Sequence, residues 1–166
     1  MYGHLNNLLI FDGFKRAFIL NFIEGDRYKF IIRGFGITLQ VTFFAIILGT
    51  IIGFIMAFAK LSNFKLGRFN IFNFIATLYI DIIRGTPAVV QLLIIYYIIF
   101  GSMTVSKIVV AVIAFGINSG AYVAEIVRAG ILAVDKGQME AGRSLGLSYV
   151  STMRYIIIPQ AIKNIL

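Results

Sequence analysis

The 166-residue chain contains no cysteine, so neither a disulfide framework nor a thiolate metal site is available to it. His4 is the only histidine and stands in the N-terminal tail, where it reads as an incidental polar residue. With it go any Ser/His/Asp set and any metal cluster, and no paired-carboxylate site replaces them, so no catalytic and no metal-binding residue is assigned. No G-x-x-x-x-G-K-[ST] occurs, which excludes a P-loop cradle for nucleotide phosphates. Charge is scarce as well. Only 13% of the residues are charged, against about 25% in a soluble domain. The apolar share is 60%, and the bilayer is the expected solvent.

What is present is long apolar runs. Uncharged stretches cover Gly34 to Ala59, Phe69 to Ile80, Gly85 to Ser106 and Ile108 to Ala124. About 20 apolar residues span a hydrocarbon core of roughly 30 Å. The pattern predicts three spans, at 35–59, 70–100 and 107–126, with a further helix beginning over 151–166. The second is interrupted by Asp81, Arg84, Gly85 and Pro87, and a kink or break is expected where Pro87 removes a backbone donor. Residues 1–33 form a mixed-charge tail unlike a cleaved signal peptide, and the first span is read as an uncleaved anchor. Leu8 to Phe22 alternates apolar clusters with Lys15 and Arg16, as an interfacial helix would, and a disordered tail remains the alternative. Residues 34–166 make up the membrane domain, an all-α polytopic transmembrane bundle.

The net charge of +8 does not indicate nucleic acid. The basic residues are spread over the ends of the apolar segments with no stripe of interleaved aromatics, and anionic lipid headgroups account for them. For three alternating spans, six lysines and arginines fall on one side and eight on the other. That bias is too small to set orientation. The 16 Phe and 8 Tyr are read as lipid-facing and interfacial packing. Gly49-x-x-x-Gly53 and Gly116-x-x-x-Gly120, the latter continuing to Ala124, permit close approach of helix backbones.

Glu140-Ala141, then Gly146, then Ile156 and Ile158-Pro159 resemble in spacing the EAA loop of ABC importer permeases. Gly142 stands where that loop usually has its second alanine, and Ile158 replaces its leucine. Three further segments are similar to polar amino-acid permeases of this class, in the same order along the chain. These are Gly36 to Thr42, the segment Tyr79 to Pro87 with Val90-Gln91-Leu92, and Ala121 to Gly130. The resemblance covers roughly residues 34–166. It implies a type I ABC importer permease fold in a bacterial plasma (inner) membrane, with the EAA loop facing the cytosol and the N-terminus outside. The implied partners are separate ABC ATPase subunits, an extracytoplasmic solute-binding protein and a second permease subunit, identical or not. No cofactor is bound directly; ATP is used by the partner ATPase.

The coupling hairpin is expected over about 136–150. Its short helix, Gln138 to Leu147, can be closed by Gly146 in a left-handed conformation, with Glu140 near the helix start and Arg143 within i,i+3 reach of it. Glu140, Ala141, Gly142, Arg143, Gly146, Ile156 and Pro159 are the coupling residues that the resemblance assigns. Asp81 and Arg84 share the i,i+3 spacing and either fix helix depth or, for Arg84, line the translocation path. Glu125 and Arg128 share it too, holding the hairpin or contributing to a cytoplasmic gate. Arg84, Thr86, Gln91, Asn118, Ser119 and Tyr122 are the substrate-path candidates, with helix–helix hydrogen bonding the alternative for Asn118 and Ser119. Two rival functions stay open: a secondary transporter or channel, although no internal repeat is found, and a truncated, non-transporting membrane protein. Permeases of this class continue beyond the EAA loop, so a chain reaching Leu166 inside an apolar helix reads as C-terminally truncated.

Overall fold

The computed structural model describes residues 12–62 and 70–165. His4, residues 8–11 of the interfacial segment, Lys65, Arg68 and Leu166 lie outside the described residues. The chain divides into two compact units, Met1–Gln40 and Val41–Leu166. No strand occurs among the described residues, and the architecture is all-α.

In the first unit, residues 12–18 form helix α1, followed by a π-turn at Ile19–Ile23 and a 3-10 turn at Glu24–Asp26. Gly25 (φ 67°) and Asp26 (φ 59°) take left-handed conformations, which kink the helical path before α2 (Arg27–Leu61). The Phe18 and Phe22 rings stack at 4.9 Å, and Lys29 pairs with Asp26 at 2.6 Å.

In the second unit, the last part of α2 leads to α3 (Ile71–Gly85). Two asparagines fasten the start of α3 to the end of α2. Asn70 caps α3 by accepting from the Asn73 amide (3.0 Å) and donates to the Ser62 carbonyl, while the Asn73 side chain donates to the Lys60 carbonyl at 2.6 Å. These bonds satisfy backbone groups that helix ends leave open. The α3 helix stops because Thr86 precedes Pro87 and is driven to extended φ/ψ. Helix α4 (Ala88–Ile94) follows and continues as a π-turn, Ile95–Ile99; the axis bends by 109° at the break. Helix α5 (Lys107–Leu132) begins at a Ser106 cap. Then come α6 (Lys136–Ser144), α7 (Tyr149–Thr152), a π-turn at Met153–Ile157 and α8 (Ile158–Ile165).

Among the described residues two helices are long and apolar enough to cross a membrane, and a third span results if the bent pair counts as one. The first expected span lies within the helical stretch Asp12–Leu61, and the third lengthens to Lys107–Leu132. The stretch after residue 150 is not one regular helix: Ile158 N–H bonds to the Met153 carbonyl, the five-residue closure of a π-bulge, ahead of Pro159, which has no amide hydrogen to offer.

Helix α5 is the centre of the second unit. Its buried face is made of small residues, among them Ala114, Gly116, Gly120, Ala121, Ala124 and Gly130. The two small-residue motifs meet here. A β-carbon on Gly49 would stand 2.8 Å from Ser119 Cβ, and one on Gly53 would stand 2.5 Å from Val123 Cβ and 3.1 Å from the Ala124 nitrogen. Backbones this close gain dispersion contacts and leave no room for a side chain. Gly53→Leu is therefore expected to destabilise the protein by about 3 kcal/mol through overpacking. Gly36→Ala, with nothing within 4 Å of the new methyl, is expected to carry no such cost and to gain up to about 1 kcal/mol of helix propensity. Thermal unfolding of the detergent-solubilised protein checks both. Elsewhere, Ile80, Ala124, Val127, Ile131, Ile157 and Ala161 join α3, α5 and α8 in one apolar cluster, and Ile95, Val110 and Ala114 join the α4 π-turn to α5.

Candidate functional site

Two groups of polar residues interrupt this apolar bundle. The first follows α5. Asp135 caps α6 by accepting from the Gly137 amide at 2.7 Å. The helix closes as a Schellman motif: Gly146 N–H bonds to the Arg143 carbonyl (3.0 Å) and Leu147 N–H to the Gly142 carbonyl (3.1 Å), with Gly146 at φ +83°. A left-handed residue costs roughly 1–2 kcal/mol with a β-carbon, which is why glycine occupies the position. Glu140 lies beyond the first turn of α6, and the expected Glu140–Arg143 pair does not form. Arg143 donates instead to the Leu147 carbonyl at 2.9 Å, an orphan acceptor just past the helix end. Glu140 is left exposed without an ion pair, as is Ala141 at its side. Gly142 faces inward against Thr152 and half-buried Ile156, and Pro159 is exposed in the first turn of α8. Gln160 donates to Gln138 at 3.3 Å, tying α8 to α6.

The second group is a polar seam along α5, where it meets the broken α3–α4 pair. Gln91 is the buried member. Its amide nitrogen donates to the Ile83 carbonyl (2.6 Å), the Thr86 carbonyl (3.0 Å) and Thr86 Oγ1 (2.7 Å), and its oxygen accepts from Asn118 at 2.9 Å. Thr86 Oγ1 donates to the Ile82 carbonyl at 2.8 Å. One turn further along α5, the Tyr122 ring lies under the Arg84 guanidinium, 5.8 Å from its centre.

Next comes Glu125, the one carboxylate of a four-member cluster. Arg128 reaches it at 2.5 and 3.2 Å, Lys60 at 3.3 Å and Arg84 at 3.9 Å. The cluster joins α2, α3 and α5 and holds two positive charges in excess of its carboxylate. The Asp81–Arg84 pair that the i,i+3 spacing allows is not made. Asp81 is exposed without a partner, because Arg84 turns toward the better-shielded Glu125.

Of the six substrate-path candidates, Thr86, Gln91 and Asn118 meet in one network, and Arg84 and Tyr122 adjoin it. Ser119 does not. Its β-carbon faces Gly49 in the α2–α5 crossing, since neighbouring residues on a helix point about 100° apart. Sequence reasoning missed Lys60, Asn70, Asn73, Tyr79 and Thr152. Tyr79 donates to the Ile117 carbonyl at 2.6 Å. The spacing Asn70-x-x-Asn73 ahead of an apolar run was a usable cap signal; the Lys60–Glu125 contact had no local one. Among the described residues no group of acidic, histidine or cysteine side chains could hold a metal.

The model of the binding-protein-dependent transport system inner membrane component family matches residues 49–166. The arginine transport system permease protein ArtQ of Bacillus subtilis is 42% identical over 82% of this chain and 61% of its own length. The glutamine transport system permease protein GlnP of Escherichia coli is 39% identical over the same shares, 82% and 61%. A solved structure, the crystal structure of an amino acid ABC transporter with histidines, superposes with a TM-score of 0.67 at 50% identity, covering 77% of this chain and 58% of its own. The chain thus spans about three fifths of the length of the curated relatives it matches. With a family match over most of its residues and relatives this similar, the chain belongs to the binding-protein-dependent transport system inner membrane components, the permeases of ABC transporters.

Proposed function

We propose that this chain is the translocating part of a permease subunit in an ATP-driven importer of polar amino acids, seated in a bacterial inner membrane. Its partners are separate ATPase subunits, an extracytoplasmic solute-binding protein and a second permease subunit. The chain carries no nucleotide cradle of its own, and the partner ATPase uses the ATP. The observation that carries this reading is α6. It is a short, mostly exposed polar helix with a free Glu140, closed by a glycine turn and packed on the end of an apolar bundle. Such a helix is shaped to enter a groove on a soluble protein. When the ATPase pair closes on ATP, α6 moves with it, and the bundle shifts between outward- and inward-facing states. The amino acid passes beside the seam, where Arg84, Tyr122, Asn118 and the Gln91 network offer polar contacts. Names of the relatives, an arginine and a glutamine permease, support the polar amino-acid class.

The test is association. In the complete permease, Glu140→Lys reverses the exposed charge and Gly146→Leu strains the φ +83° turn, costing about 1–2 kcal/mol. Both are expected to reduce co-purification of the ATPase by about tenfold, while the folded permease is still recovered. Undiminished co-purification of both variants would rule out α6 as the docking element.

A further inference from the structure

The buried side of α6 is as specific as its exposed side. Gly142 is the one buried residue of α6. A β-carbon there would lie 2.6 Å from Thr152 Cγ2, 3.0 Å from Thr152 Oγ1 and 3.1 Å from Ile156 Cδ1. Thr152 is fully buried, and its hydroxyl donates to the Ser148 carbonyl at 2.9 Å. Its methyl therefore cannot rotate away from Gly142 without breaking that bond, since a β-branched side chain has few χ1 options. Thr152 thus acts as a tooth, and Gly142 as the notch that receives it.

The same construction recurs one step on. Gly130 of α5 is packed against Ile165 and the Ala161 carbonyl of α8, and Asn164 donates to the Gly130 carbonyl at 3.3 Å. Between these two glycine contacts the chain is continuous helix: α7, the Met153–Ile157 π-turn and α8.

We infer that Thr152 and Gly142 are positioning residues for coupling: movement of α6 reaches α5 chiefly through the Thr152 tooth and the α7–α8 arm. The short Ala133–Asp135 connection then serves as tether. The physical reason is stiffness. A close-packed contact transmits displacement with little give. In the connection, Ala133 and Val134 bond back to α5 and Val134 joins the apolar cluster, so they move with α5, and the give falls at Asp135, whose backbone is extended (φ −55°, ψ 132°). In α5, the receiving residue Gly130 stands two positions beyond Arg128, a member of the charge cluster that ties α2, α3 and α5 together. This inference rests on the importer reading above.

The experiment is a size exchange in the complete permease, reconstituted with its ATPase and binding protein. Gly142→Ala adds the methyl that Thr152 excludes. Thr152→Ser removes the facing methyl and keeps the hydroxyl bond to Ser148. The readout is amino acid transported per ATP hydrolysed, with ATPase co-purification measured alongside. Gly142→Ala is expected to keep the ATPase bound but to lower transport per ATP by about tenfold; adding Thr152→Ser should restore it to within about twofold, as contacting residues couple. A Gly142→Ala permease with unchanged transport per ATP, or a double variant no better than the single, overturns the tooth-and-notch role. A wild-type permease that binds no ATPase overturns the importer reading and this inference with it.

Discussion

Glu125→Gln is expected to be among the most damaging single substitutions in the second unit, lowering stability by about 2–4 kcal/mol. Glu125 supplies the one carboxylate to Arg128, Lys60 and Arg84, from three different helices. Its side chain is 23% exposed, and those of Lys60 and Arg128 are 18% and 27%, so water screens the cluster only in part. A glutamine of the same shape keeps one acceptor oxygen but presents an NH2 group to a cation and leaves three positive charges together. Removing one partner of a shielded pair exposes the cost of the charge left behind, which exceeds what the pair itself contributes. Arg84→Gln should behave differently. Arg84 is 43% exposed and 3.9 Å from the carboxylate, and such a loose pair is worth about 0–1 kcal/mol. The double variant Glu125→Gln/Arg128→Gln should recover part of the loss, because one unpaired cation goes with it. Thermal unfolding of the four proteins in detergent reads all of this. A Glu125→Gln protein within about 0.5 kcal/mol of wild type, the range of ordinary surface changes, would mean that water alone neutralises the cluster.

The parts of this structure that were legible in the sequence are those that depend on one residue and its near neighbours. Pro87 announced the break in the second span, Gly146 the turn after α6, and the two glycine pairs the helix crossing. Each has a local cause: a missing donor, a left-handed φ, a missing side chain. The charged residues were misread in their pairing for the same reason. Spacing of i,i+3 made Asp81–Arg84 and Glu140–Arg143 natural partners, yet an exposed pair gains little. Arg84 gains more at Glu125, and Arg143 more at the Leu147 carbonyl, where it satisfies a helix-end acceptor. Lys60 stands 65 residues from Glu125, and no periodicity within one helix reports a contact between two. The π-turn at Met153–Ile157 was hidden as well, because the residues before Pro159 are good helix formers and only the backbone register reveals the extra residue.

Gln91→Leu should loosen the break itself, at a cost of about 3 kcal/mol or more. In a regular helix the amide of residue 87 would bond to the Ile83 carbonyl, but Pro87 has no such hydrogen, and in a bilayer no water stands ready to replace it. The Gln91 amide nitrogen takes that place at 2.6 Å, while Thr86 Oγ1 serves the neighbouring Ile82 carbonyl at 2.8 Å. The two side chains thus do for the end of α3 what a continuing backbone would have done. Gln91 also accepts from Asn118, which fixes the bent segment to α5. Leucine fills the same volume but leaves the Ile83 carbonyl and the Asn118 amide unpaired, each costing about 1–3 kcal/mol where water is excluded. Thr86→Val, which removes a single hydroxyl from an exposed residue, should cost about 1 kcal/mol. Hydrogen exchange gives the local reading: in Gln91→Leu the amides of residues 88–95 should exchange faster, while those of α2 stay protected. If the variant melts and exchanges like wild type, Pro87 alone sets the 109° bend and the Gln91 bonds follow it; if the amides of α4 are released, the side chain holds the two half-helices at their angle.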